Sequence, residues 1–436
     1  MRPYPVRPPA VAPSARTLAG MAEHRTDEPR DADVALLGAT GAVGRLVAQY
    51  LAEHAPPGTR VVLAGRSADR LAAVRAALPP AAAGWSLAHA DLTDAGSLAA
   101  LARSARVVAT TAGPYAPRGL GLVQACAEAG THYVDLTGEV LFVRASIDAW
   151  HTTAAATGAR IVHACGFDSV PSDLAVLLAA RQAAADGAGG LTAATLLVRS
   201  LAGGLGAGTI DSVRGQVDTL RERPDLRAVV EDPYGLSPDR PAEPEGPGAR
   251  DRRRAFRHPA VGGWVAPFVM APFNTRVVRR SNALQGWAYG RGLRYRELMV
   301  HGRGPAGAVA ALAAAAGPVV APALLAWPPT RAVLDRLLDS AATGPDAATQ
   351  RPGRFRLEVH AATESGARYT VEVGADLDPA FRATAAMLAE SALALVHDGD
   401  RLPDRAGVLT PATAVGAPLV DRLRDAGFRL GLPSPA

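Results

Sequence analysis

From Val34 onward, short uninterrupted apolar runs alternate with longer stretches in which apolar residues recur every three or four positions. Val34–Leu37 and Val61–Ala64 are runs of the first kind, the pattern of strands buried on both faces. Between them Val43, Leu46, Val47, Tyr50 and Leu51 mark one face of a 3.6-residue repeat, and Pro56-Pro57-Gly58 stops it. Further strands are predicted at Trp85–Ala90, Val107–Thr111, His132–Leu136 and Arg160–Ala164, with helices at Ala95–Ala102 and at Leu120–Ala129, the latter closed by Gly130. Repeated βα units of this kind predict an α/β fold: a doubly wound parallel sheet of Rossmann type, with ligands at the carboxyl ends of its strands.

The first strand runs into Gly38-Ala39-Thr40-Gly41-Ala42-Val43-Gly44. Glycines at this spacing let the backbone approach a pyrophosphate, and the helix that follows offers unpaired N–H groups and positive potential. Gly38, Thr40, Gly41, Val43 and Gly44 are therefore read as cofactor-binding. At the end of the second strand, where NAD-preferring folds carry an acidic residue for the ribose, stand Gly65 and Arg66, with Arg70 one turn on. A guanidinium suits a 2′-phosphate that a carboxylate would repel, so the cofactor is read as NADP(H). Asp91, after the third strand, is placed for the adenine, and Gly113-Pro114, after the fourth, for the nicotinamide side.

Beyond about residue 175 the alternation changes, and a second α+β domain is expected over 176–400. Leu196–Arg199 reads as a strand followed by a glycine cluster, Gly203–Gly208, taken as a loop. Residues 221–260, rich in Pro, Asp and Arg, read as a long surface excursion, and Phe355–Thr363 with Arg368–Gly374 flank Ser365-Gly366 as a hairpin. A helix is expected from Pro379 to Val396. Residues 305–330 carry no charge until Arg331 and reach the length of a membrane span. Alanine is only weakly apolar, however, and Pro318 and Pro322 interrupt the run, so buried helices are favoured over a span or a peripheral lipid contact. Residues 1–30 are proline-rich and aperiodic and are expected to be disordered, with Met21 a second candidate start.

Composition narrows the chemistry. Two domains are the prior for 436 residues, and 48% hydrophobic content supplies their cores. Every one of the 46 Lys+Arg positions is arginine. A Schiff-base lysine, a P-loop lysine and the Tyr-x-x-x-Lys pair of short-chain dehydrogenases are thus excluded. The net charge of +5 is scattered among 41 acidic residues without a reader motif, so nucleic acid is not expected as a partner. Cys126 and Cys165 sit in apolar contexts and read as free thiols of a reduced, cytoplasmic protein; the histidines lack ligand spacing, so no metal is expected.

Gly38–Gly44, Gly65-Arg66-Ser67, Gly113-Pro114-Tyr115, His132–Glu139 and Cys165–Asp173 together resemble the saccharopine dehydrogenase-like oxidoreductases. Gly208–Ser212, Asn274–Ser281 and Gly407–Thr413 extend the resemblance, most closely to the actinobacterial branch of trans-acting enoyl reductases. The resemblance implies an NADP-binding Rossmann domain (31–175) and an inserted α+β domain with a mixed sheet for substrate and dimerisation (176–400). It also implies a segment returning to the Rossmann domain (401–436) and a role in polyketide lipid assembly.

Enoyl reduction needs a positioned proton donor as well as a hydride. Tyr115, after the Gly113-Pro114 turn, and Asp168, after the sixth strand, are the candidates; Asp135 and Glu139 read rather as caps or ribose contacts. Two alternatives stay open at this point. One is a saccharopine-type imine reductase, whose polyanionic substrate would demand several converging arginines in the second domain; the local clusters Arg252–Arg254 and Arg276, Arg279, Arg280 read instead as solvated. The other is a lipid-associated NADP-binding protein without turnover. The apolar run Gly262–Met270 favours an apolar, carrier-bound acyl substrate. A homodimer is expected, with peripheral contact at the inner face of the plasma membrane at most.

Overall fold

A computed structural model describes residues 30–202, 215–216, 218–244, 254–326 and 353–432, the side chains of 318–326 excepted. By contacts the chain divides into two units: residues up to Val170 with Phe381–Ala426, and Pro171–Ala380 with the residues from Gly427.

The first unit is built on β1 (Ala32–Leu37), β2 (Val61–Gly65), β3 (Ser86–His89), β4 (Ala105–Thr110), β5 (His132–Val134) and β6 (Arg160–Val162). A late strand, Gly407–Leu409, pairs with β6, so the order runs from this strand through β6-β5-β4-β1-β2-β3, with every pairing parallel. Every residue of β1 is buried, as a central parallel strand requires. Because β1 pairs with both β2 and β4, the winding reverses there, and the crevice beyond the carboxyl ends of β1 and β4 is where such sheets bind ligands.

The helix Thr384–His397 is buried almost throughout and packs on the helix Ala42–His54 and on β4 and β5. Together with its preceding turn it is the one stretch, among the described residues, long and apolar enough to cross a membrane, and it is a core element. Its middle is tied by Glu390, which accepts from the Tyr50 hydroxyl (2.8 Å) and Arg422 (3.2 Å); Arg422 also binds Asp398, just past its C-terminal end.

The second unit carries β7 (Leu191–Ala202), β8 (Phe256–His258), β9 (Gly263–Pro267), β10 (Arg294–Gly302), β11 (Arg354–Thr363) and β12 (Arg368–Ala375). With β13 reserved for Gly407–Leu409 and β14 for Arg429–Gly431, this sheet has the order β14-β12-β11-β7-β10-β9-β8. It is mixed: β7 and β10 run parallel, and the other pairs are antiparallel.

Several expectations need correction. The chain re-enters the first unit near Phe381 instead of 401, and the last strand does not stay there: β14 pairs with β12 while Phe428 packs on Phe355. Arg30, assigned to the disordered extension, is anchored, its guanidinium donating to the carbonyls of Ala102, Arg103 and Ala129; residues 1–29 lie outside the described residues. The glycine cluster at 203–208 also lies outside them. The uncharged stretch forms one helix, Gly304–Ala326, whose described side chains, up to Gly317, are largely exposed, Val309 by 68% and Leu312 by 57%. It packs one side on β9 and β10 and has no polar side chain to turn outward on the other.

Candidate active site

Gly38 leaves β1 with φ at +93°, a backbone conformation that side chains disfavour. A Cβ on Gly44 would stand 2.1 Å from the Gly38 carbonyl oxygen, so glycine alone lets the helix begin this close to the strand. That carbonyl accepts from the Gly41 N–H (3.0 Å) and from the Thr111 hydroxyl (3.2 Å), which fixes the loop against the end of β4. The helix Ala42–His54 has neither a side-chain cap nor an acidic residue in its first turn, and Gly41 and Ala42 are exposed. Its positive end is therefore open to an anion. Thr40 and Val43 sit half-buried on the same loop.

Arg66 follows β2 directly and is exposed, and among the described residues no ion pair engages it. One strand further out, Asp91 accepts from the Thr93 N–H (2.9 Å) and hydroxyl (2.8 Å). These bonds, with the nearby Arg66 charge adding, hold its carboxyl below the usual range. After β4 the chain turns through Gly113 and Pro114, joined by a cis peptide bond.

Tyr115 is placed where the sequence put it but is already engaged. It is 5% exposed; its hydroxyl donates to the Thr110 carbonyl (3.2 Å) and accepts from the Leu136 N–H (3.3 Å). Burial pushes its hydroxyl well above the ordinary tyrosine range. Here Tyr115 ties the end of β4 to the loop after β5. Glu139 completes the clamp, its carboxylate accepting the Tyr115 N–H (3.2 Å) and the Ala116 N–H (2.9 Å).

Asp135 is fully buried and likewise structural. Its carboxylate accepts from the Tyr133 hydroxyl (2.9 Å), the Thr137 N–H (3.1 Å) and the Ala164 N–H (3.0 Å), and it faces His163 Nδ1 at 2.7 Å. His163 Nε2 reaches the Ser146 hydroxyl at 2.8 Å. Sequence reasoning missed this chain because its members come from three separate elements. It holds Ala164 at φ +62°, the strained start of the loop that carries Asp168. The same loop is seated by Gly166 on Leu136 and Thr384, and the Thr384 hydroxyl accepts from the Phe167 N–H (3.2 Å).

Asp168 differs from every other acid in this region. It is only partly covered, and no hydrogen bond or ion pair engages its carboxyl among the described residues. Desolvation raises it to about 6. A carboxyl in that condition keeps its proton up to about pH 6, well above the range of an ordinary aspartate, and can release it to a substrate. Gly38–Gly44, Arg66, Asp91 and Gly113-Pro114 thus lie at the carboxyl ends of four adjacent strands, β1 to β4. Asp168 stands on the same edge beyond β6.

In the second unit, the clustered arginines Arg276, Arg279 and Arg280 donate to backbone carbonyls. On the buried helix Ala271–Leu284, Arg276 donates to the Val230 carbonyl (2.9 Å) and Arg279 to those of Pro233 (3.1 Å) and Tyr295 (3.2 Å). Arg280 donates to the Leu236 carbonyl (2.6 Å). They pin the 230–236 segment of the excursion. Asp173 and Asn274, from the two other shared motifs, bind Ser281 (2.5 Å) and Glu297 (2.9 Å) in the same buried layer.

Residues 34–162 match the family model of the saccharopine dehydrogenase NADP-binding domain. A trans-acting enoyl reductase of Mycobacterium bovis (strain BCG / Pasteur 1173P2) is 46% identical over 413 residues, 92% of this chain and 98% of that protein. The chain belongs to the trans-acting enoyl reductases of the saccharopine dehydrogenase-like family. A trans-acting enoyl reductase of Mycobacterium ulcerans (strain Agy99) is 44% identical over 91% of this chain and 97% of its own length. A solved saccharopine dehydrogenase (L-Glu forming) from Saccharomyces cerevisiae has the same fold at 15% identity. Its TM-score is 0.52, with 93% of this chain and 100% of that one covered. The cofactor is NADP(H), and the chain is an NADP-dependent oxidoreductase.

Proposed function

We propose that this oxidoreductase reduces the carbon–carbon double bond of an apolar α,β-unsaturated acyl thioester in lipid or polyketide assembly, with Asp168 as the proton donor. The observation that carries the reading is the unengaged Asp168 carboxyl, raised to about 6, on the binding edge of the NADP domain. The names of the mycobacterial relatives point to the same reaction.

The cradle fits a dinucleotide, because a side chain at Gly44 would collide with the Gly38 carbonyl and one at Gly38 with Thr111 and Ala112 at the end of β4. The pyrophosphate is held by the open helix end at Gly41, Ala42 and Val43, the 2′-phosphate by Arg66, the adenine side by Asp91, and the nicotinamide side by Gly113-Pro114. When bound, NADPH supplies the hydride that goes to the β-carbon. Asp168 gives its proton to the α-carbon and is reprotonated from water, so the double bond gains one hydride and one proton. Tyr115, Glu139 and Asp135 hold the two loops at fixed positions. For the exposed Val309 and Leu312 we propose contact with the apolar surface from which a lipidic substrate is drawn. Neither this contact nor a homodimer is required by the chemistry.

Steady-state oxidation of NADPH with a 2-enoyl thioester, set beside the same assay with an amino acid and a 2-keto acid, tests the reading. Turnover is expected with the thioester alone, and turnover only with the amino acid pair would overturn it. In the same assay Arg66→Ala should raise the KM for NADPH by about 30-fold, the loss of a charge-assisted phosphate contact of about 2 kcal/mol, and barely change that for NADH. Equal losses for the two cofactors would remove the 2′-phosphate from Arg66.

A further inference from the structure

The sheet of the second unit has one face turned to the helix Ala271–Leu284 and the apolar core, with Phe355, Leu357, Val359, Val371 and Val373 pointing that way. The opposite face carries a buried apolar cluster, Leu197, Val265 and Leu298, where β7, β9 and β10 lie side by side, and is cationic around it. Strand register sets Arg294, Ala193, Ala362 and Arg368 in one row, and Arg296, Thr195, His360 and Thr370 in the next. Arg199, Arg354 and Arg356 follow towards the other end of β11. Against these six arginines the face sets two acids, Glu358 and Glu372, which pair across β11 and β12. Glu358 is already taken by Arg199 (2.7 Å) and His360 (2.8 Å). Arg294, Arg354, Arg356 and Arg368 are exposed and, among the described residues, make no ion pair.

Like charges set on one sheet face repel and need a reason to persist. In a chain of net charge +5, this one face concentrates most of the excess. A second copy docking face to face would bring arginines against arginines, so a symmetric dimer does not use it. A single-stranded nucleic acid would look for a series of open aromatic platforms, and the ring beside these rows, Phe256, already lies under the Arg296 guanidinium (6.0 Å). A small apolar substrate has no use for six cations.

We propose that this face docks an acidic protein domain that carries the acyl thioester. The inference rests on the acyl-thioester reading above. An acyl chain too apolar to travel freely in water is delivered on a soluble carrier, and a cationic sheet steers an acidic carrier to the enzyme.

The test uses the full-length protein and the triple variant Arg294→Glu, Arg354→Glu, Arg356→Glu. An acidic acyl carrier protein, labelled for fluorescence anisotropy, is titrated against both, and the 2-enoyl chain is offered on that carrier or as its N-acetylcysteamine thioester. Carrier affinity should fall by at least about tenfold in the variant, with the KM for carrier-borne substrate rising in step. Raising the salt concentration should weaken the wild-type complex and leave the variant little changed. Turnover of the small thioester should stay the same in both, which also shows that the variant is folded. Equal carrier binding by the two proteins would overturn the docking face. So would anionic lipid vesicles or single-stranded DNA binding to the wild type more tightly than the carrier and losing affinity in the variant. The small-thioester arm reports on the reductase reading alone, so the two failures are told apart.

Discussion

Asp168→Asn is expected to lower kcat for enoyl-thioester reduction by about 100-fold or more, the usual worth of a positioned general acid, while NADPH affinity changes by less than about twofold. With the acid at about 6, the wild-type kcat should fall about tenfold per pH unit above that value, because only the protonated carboxyl donates. The variant should lose this limb. Stability moves the other way. Desolvation raises the folded-state carboxyl above its unfolded value of 3.8, so the folded chain binds more protons. Its contribution is therefore fully present below pH 4 and is lost as the pH rises through about 6. Asparagine removes the uncompensated charge. The variant should be more stable than wild type at pH 8, on the order of 1 kcal/mol, and no more stable at pH 4. Denaturant unfolding at the two pH values checks this, and a destabilised variant at pH 8 would show that Asp168 is a structural acid after all.

The second large effect lies at the cradle. Gly44→Ala places a methyl group 2.1 Å from the Gly38 carbonyl oxygen, and the obstacle is backbone that cannot swing aside. The helix must back away from β1, costing about 1–3 kcal/mol of stability as overpacking does. The same retreat moves the N–H groups off the pyrophosphate, and NADPH binding measured by fluorescence should weaken by more than about tenfold. A variant that bound NADPH normally would detach the cofactor from this loop. The Gly84→Ala change, at an exposed turn where an added Cβ meets nothing within 4 Å and the backbone is not left-handed, controls for losing a glycine as such.

The parts of this protein that were legible in its sequence are those fixed by short stretches of chain. The glycine loop, the helix behind it and Arg66 at the end of β2 depend on local spacing, and the structure puts them on adjacent strands. What could not be read was where a side chain goes once distant segments meet. Tyr115 has the surroundings of a catalytic tyrosine, yet its hydroxyl is claimed by Thr110 and by Leu136, the latter from the loop after another strand. Arg276, Arg279 and Arg280 read as a solvated basic cluster in one dimension and prove to be buried carbonyl donors that hold down the 230–236 segment. The uncharged 305–326 stretch looked like interior, but the sheet needs only one side of that helix. Asp168 was named from its position after a strand; its lack of partners is a property of the folded loop.

The central claim is that NADPH reduces an enoyl thioester here, and the label's destination tests it most directly. With stereospecifically deuterated [4-²H]NADPH and a 2-enoyl thioester, mass spectrometry of the product should find one deuterium at the β-carbon. The α-hydrogen should come from solvent. NADPH oxidation with no deuterium in the acyl chain, or with deuterium on a carbon once bonded to nitrogen or oxygen, would contradict the account.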